Sequence, residues 1–274
     1  MPAHEREVAS GSRAHRYVVG AVLLALAVAW GLFLLVDVFD VAGLRGIVAA
    51  GFPIWARLFS EGHVVEWGQW LCLGVAATLA GVVAGLQLAT GNRRGASFWA
   101  LIGLSAALLL IEDAGNPSHR VSRWASVLLG DGEVAARAGR LPVFVIVAGL
   151  PGYAIIRYWR ELRADRSAGN LLLGGIGCYA FAGFSSVVLN VVWDFYERAG
   201  SFVTETLLRG RLAPLPPGPW GGPEATGAVL MDTLYEESLE LLAAGLILAG
   251  AVAALGGHPL ARRDRDQKER APAR

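Results

Sequence analysis

Cysteine and lysine are almost missing from this chain. Cys72 and Cys178 are the only cysteines, each in the middle of an apolar run. That placement argues against a disulfide framework or a cysteine zinc site, and fits small buried hydrophobes. Lys268 is the only lysine, so arginine carries nearly all the positive charge. Charge itself is scarce: 17% of the 274 residues are charged against 54% hydrophobic. With a mean hydropathy of +0.47, the chain is too apolar for an ordinary soluble domain. The net charge of +1 gives no reason to expect a nucleic-acid partner. Several signatures are absent as well: His-Glu-x-x-His, paired-histidine zinc spacing, a P-loop, EF-hand spacing and a serine nucleophile elbow. A hydrolase then remains conceivable only through metal-activated water.

What the chain has is long apolar runs, several of about 18 residues or more, the length of a membrane-spanning helix. The expected fold is all-α: a polytopic integral membrane helical bundle of bacterial type, multi-pass in the cell (plasma) membrane. Residues 1–16 read as a disordered N-terminus, 17–260 as one transmembrane domain, and 261–274 as a disordered charged tail. Six transmembrane helices are expected, over Tyr17–Val36, Glu66–Leu88, Ala96–Ile111, Leu141–Trp159, Leu171–Trp193, and from Met231 to about Leu255. The first is read as a retained helix because no small-residue cleavage site precedes Asp37 and Asp40. Short interfacial helices are expected in the external loops. One, interfacial or re-entrant, is expected within 38–62, broken by Gly46, Gly51 and Pro53; another carries Val121, Trp124, Ala125 and Leu128. Arginines at the N-terminus, at 93–94, over 157–166 and in the tail fall on one side, which places both termini in the cytoplasm. Arg120, Arg123, Arg137 and Arg140 lie on the other side, in a loop of mixed charge.

The stretch Met231-Asp232-Thr233-Leu234-Tyr235-Glu236-Glu237-Ser238-Leu239-Glu240 places four carboxylates ahead of the last apolar run. Asp232, Glu236 and Glu240 recur every four residues, which on a helix makes one nearly axial stripe of like charge. The run after Glu240 is about 15 residues, or about 22 Å of helix, against a bilayer core of about 30 Å. Glu240 is therefore expected below the membrane surface, where a carboxylate is costly unless protonated, paired or metal-bound.

The six-span topology gathers further acids on that external side: Glu66, Glu112, Asp113, Asp194 and Glu197. Ser186, Asn190, Asp194 and Glu197 share one helix face, His63, Glu66 and Trp70 another, and Glu112 and Asn116 a third. The plainer reading of Glu66, Asp113, Asp194 and Glu197 is solvated helix ends paired with Arg120, Arg198 or Arg209. Glu112, Glu236 and Glu240, drawn inward by their short spans, are the candidate catalytic residues. Oxygen ligands with an occasional imidazole suit Ca, Mg, Mn or Fe as a divalent cation. The candidate metal ligands are Glu66, Glu112, Asp113, His119, Asp194, Glu197, Asp232, Glu236 and Glu240.

The first function expected is a divalent-cation-binding membrane protein, with membrane lipid as partner and a metal-dependent reaction on a lipid or lipid-linked substrate. Carboxylates that share protons instead would suit a proton- or cation-coupled transporter. Against that, the cytoplasmic halves of the spans are mostly Ala, Gly, Val and Leu, with Thr78, Gln87 and Ser105 as polar exceptions. A third reading is a non-catalytic subunit that docks a partner. Trp55, Trp67, Trp70, Trp124, Trp193 and Trp220 map to the external side, as an aromatic belt would or as a headgroup site would. The loop 214–223, rich in Pro and Gly, is expected to pass near the acids, with Trp220 as a cover.

Overall fold

The computed structural model describes residues 13–49, 52–129, 133–189, 193–218 and 222–258. No strand occurs among them, and helix is the rule. A helix satisfies its backbone hydrogen bonds within one segment, as a backbone placed in hydrocarbon would have to. Five helical stretches are long and apolar enough to cross a membrane: Ala14–Val38, Ile54–Ala89, Arg93–Gly115, Arg166–Phe184 and Pro223–Gly257. Leu23, Leu24 and Val28 of the first and Leu71, Val75 and Val82 of the second are exposed, as lipid-facing side chains would be.

The expected fourth span is the one that falls short. Its helix runs Glu133–Arg157 and contains Pro142 and Pro151. Among the described residues its apolar stretch is Pro142–Arg157, shorter than the other five. The short amphipathic helix expected before it runs Pro117–Leu129, and the next helix starts early, at Glu133. The last span also differs from expectation. Gly222 (φ 85°) and Pro223 start a helical path that runs 35 residues to Gly257. Glu236 and Glu240 therefore lie well inside a helical run rather than at its head, because Thr226 to Met231 is helical despite its proline-rich approach.

The chain divides into two compact units. Among the described residues the first comprises 13–19, 70–129, 133–176 and 244–258. Here α5 (Pro117–Leu129) packs against α6 (Glu133–Arg157), and α6 against α4 (Arg93–Gly115). Phe98, Ile102 and Ala106 of α4 are buried, with Leu162 of α7 (Trp159–Ala164) and Leu172 of α8 (Arg166–Phe184).

The second unit comprises 20–49, 52–69, 177–189, 193–218 and 222–243. All the π-helical stretches among the described residues are here: Phe33–Val38, Arg45–Ala49, Ser185–Leu189, Phe202–Leu207 and Met231–Tyr235. A π-turn widens the helix and turns its following residues, and such turns concentrate at functional sites. The stretch 33–38 continues α1 (Ala14–Leu32) and ends the first span on Asp37, which has no exposed surface. Asp37 Oδ1 accepts from Ile54 N at 3.0 Å and Oδ2 from Trp55 N at 2.8 Å. One carboxylate thus satisfies the first two free N–H groups of α2 (Ile54–Phe59) from a distant part of the chain. Its carbonyl accepts from Arg45 Nη2 at 2.7 Å, and that nitrogen reaches Arg211 O at 3.1 Å. The segment 38–62, expected to hold a short interfacial or re-entrant helix, contains the short helical pieces Val41–Gly43, Arg45–Ala49 and Ile54–Phe59, the last two tied together by this clasp. Trp55 and Phe59 are fully buried, so Trp55 is a core residue and not part of an aromatic belt.

Candidate functional site

The second unit holds a polar chain built on the last long helix. Before Glu236 comes the π-turn 231–235, and after it α11 (Glu236–Gly257). The approach is fixed by two glycines. α9 (Phe195–Ser201) crosses α10 (Thr226–Leu230) where Gly200 meets Gly227 backbone to backbone. A Cβ on Gly200 would land on the Gly227 carbonyl group, so only glycine lets the helices approach this far. That crossing carries Tyr196, 3% exposed, toward Glu236. The Tyr196 hydroxyl donates to Glu236 Oε2 at 2.7 Å. The Ser185 and Ser186 hydroxyls reach the phenol, and Ser186 also reaches Glu236. Burial first, and the Glu236 carboxylate second, push the Tyr196 phenol far above its ordinary range. It therefore remains a hydrogen-bond donor at any working pH.

One turn further on, Gln69 Nε2 donates to Glu240 Oε2 at 3.0 Å. Gln69 is buried on α3 (Val64–Ala89). Glu236 has the Glu240 and Asp232 carboxylates within electrostatic reach. Aromatic rings frame this group: Phe195, Tyr196 and Tyr235 have centroids 5.8 to 6.4 Å apart. Trp30 of α1 donates its indole N–H to Ser238 Oγ at 3.0 Å.

The other sequence candidates fall differently. Glu66 is 5% exposed, and its carboxylate accepts from the Gly62 N–H ahead of its own helix, so it is no solvated helix end. Asp194 and Glu197 are exposed, as solvated ends would be; Asp194 sits at φ 50° before α9 without a capping bond. Asp232 is exposed. His63 is exposed, with Nδ1 2.9 Å from the Glu61 carbonyl oxygen. Glu112 and Asp113 belong to the first unit, at the end of α4, where Glu112 Oε2 is buried without a hydrogen-bond partner. The His119 side chain, Asn190 and Trp220 lie outside the described residues. Among the described residues, no group of three or more His, Cys, Asp or Glu side chains is arranged to hold a metal ion.

Tyr196, Gln69 and Ser185 are participants that the sequence does not single out. A search for acids and histidines ignores uncharged donors. The one available signal is the position of Gln69, three residues after Glu66 and so on the same helix face.

Fold and site together define an all-helical protein with five helices long and apolar enough to cross a membrane and half-buried, hydrogen-bonded acids on the last of them. Beyond that class no relative narrows the reading: no protein family, curated protein or solved structure matches this chain.

Proposed function

We propose that the chain is a multi-pass protein of the cell membrane, with both termini cytoplasmic, that takes up and releases a proton or another monovalent cation at Glu236 and Glu240. Its function would be that of a proton- or cation-coupled transporter. The observation carrying this reading is the pairing of each carboxyl with a neutral donor: Tyr196 on Glu236 at 2.7 Å and Gln69 on Glu240 at 3.0 Å. Neutral donors suit a carboxyl that must exist in two protonation states, since a hydroxyl or amide partners both. Two acids one turn apart on a single helix, with Asp232 in reach, can share protons as a coupled set.

A second reading keeps the divalent cation and the metal-dependent reaction on a lipid or lipid-linked substrate. Trp67, 58% exposed beside Glu66, and Trp193, 61% exposed beside Asp194, favour it as headgroup-facing rings. One experiment separates the two. Proteoliposomes adsorbed on a solid-supported membrane are given a pH jump, and their metal content is measured in parallel. The coupled-carrier reading expects a transient proton-binding current that Glu236→Gln largely removes and Glu240→Gln weakens, with no stoichiometric metal. A silent pH jump, together with a stoichiometric divalent metal lost in both variants, would replace the carrier with the metal protein.

A further inference from the structure

The first unit holds a cavity of about 510 Å³ that nothing in the sequence announces. It lies where α3 and α11 end and α4 and α8 begin. Its volume is in the range of sites that hold small organic ligands. The walls are of two kinds. Phe98, Trp99 and Leu172, all nearly fully buried, form the apolar side, Glu161 and Asp165 supply carboxylates, and the buried His258, itself engaged with a neighbour, supplies an imidazole.

The remaining polar groups narrow the ligand. An anion is disfavoured, because the N–H groups that open α8 are already occupied: Asp165 Oδ1 accepts from Ser167 N and Ala168 N, both at 3.0 Å. The amide groups of Gln87 and Asn92 are bonded to each other at 2.9 Å, and Asn92 Oδ1 accepts from Gly95 N at 3.0 Å. Asp165 Oδ2 points toward Gly257, where even a Cβ would come within 3.1 Å. Glu161 has only an ion pair with Arg94 at 3.7 Å, and the Arg94 side chain is 56% exposed. A pair that loose and that solvated is weak and exchangeable. Arg166 also lines the cavity but is exposed.

We propose that this cavity binds a primary alkylammonium: the ammonium is held by Glu161 and Asp165 and the alkyl part lies against Phe98, Trp99 and Leu172. An inorganic cation would leave the apolar walls unused, and a neutral apolar molecule would leave Glu161 with no partner beyond the loose Arg94 pair. The same chemistry occurs in a free amine and in the ethanolamine headgroup of a lipid.

The test follows thermal unfolding of the purified full chain in a zwitterionic choline detergent. n-Hexylammonium should raise the unfolding midpoint saturably, and n-hexanol, its uncharged counterpart, should not. Asp165→Asn retains an acceptor for the α8 cap, and Glu161→Gln gives up only the loose pair, so both should fold. Each should raise the half-saturating concentration by about tenfold, the effect of one charge-assisted hydrogen bond. If stabilisation comes instead from micelles doped with phosphatidylethanolamine, and fades in the same two variants, the ligand is the lipid headgroup. Equal effects of hexanol and hexylammonium, variants that titrate like the wild type, or no shift with either amine would each overturn the proposal.

Discussion

Gly200→Ala should lower the unfolding midpoint of the protein by roughly 5–10 °C, and Gly200→Val should give little folded protein. The added Cβ lands on the Gly227 carbonyl group, which is backbone and cannot rotate away. Overpacking of this kind costs about 1–3 kcal/mol, and about 1 kcal/mol moves the midpoint of a chain this size by about 2–4 °C. The damage should reach function as well as stability, because the same crossing brings Tyr196 to Glu236. Gly218→Ala is the control: nothing lies within 4 Å of a Cβ there. Thermal unfolding of the three variants in one detergent checks the expectation, and a Gly200→Ala protein as stable as Gly218→Ala would refute it.

Asp37→Ala should be the other severe change. Its carboxylate is the acceptor for two backbone N–H groups, those of Ile54 and Trp55, and Trp55 has no exposed surface. Leaving a buried donor unsatisfied costs about 1–3 kcal/mol, so two orphaned groups together cost on the order of 2–6 kcal/mol. Asp37→Asn keeps one acceptor oxygen and should lose clearly less. Denaturation of both variants measures the difference, and equal loss would mean that the charge, not the acceptor geometry, matters at this junction.

How much of this is legible in the sequence depends on what kind of signal each feature leaves. The spans are readable because hydrocarbon demands unbroken apolar runs, and little besides a membrane calls for a run such as Tyr17–Val36. The start of the last helix is not readable. Thr226 and Gly227 are poor helix formers behind a proline-rich loop, and tertiary contact at Gly200 overrides their local preference. Glu236 and Glu240 stand out from their spacing and depth alone. Their partners Tyr196 and Gln69 come from elements 40 and 171 residues away in sequence, and periodicity carries no information at that range. In the sequence Asp37 marks only where the first span stops. That it caps a helix beginning at Ile54 follows from the π-turn at 33–38, which no residue pattern announces. The Glu161/Asp165 cavity is hidden for a different reason: acids inside an arginine-rich stretch look like ordinary surface charge.

The proposed function turns on Glu236 holding an exchangeable proton while in contact with Tyr196. Infrared difference spectroscopy of the reconstituted protein across a pH step tests this most directly, because a protonated carboxyl has a resolved C=O band that shifts in heavy water. Such a band is expected in the wild type, with its loss in Glu236→Gln and a displaced band in Tyr196→Phe, where the donor 2.7 Å away is gone. A wild-type protein with no titrating carboxyl band, or a band unchanged by both substitutions, would rule out proton exchange at Glu236.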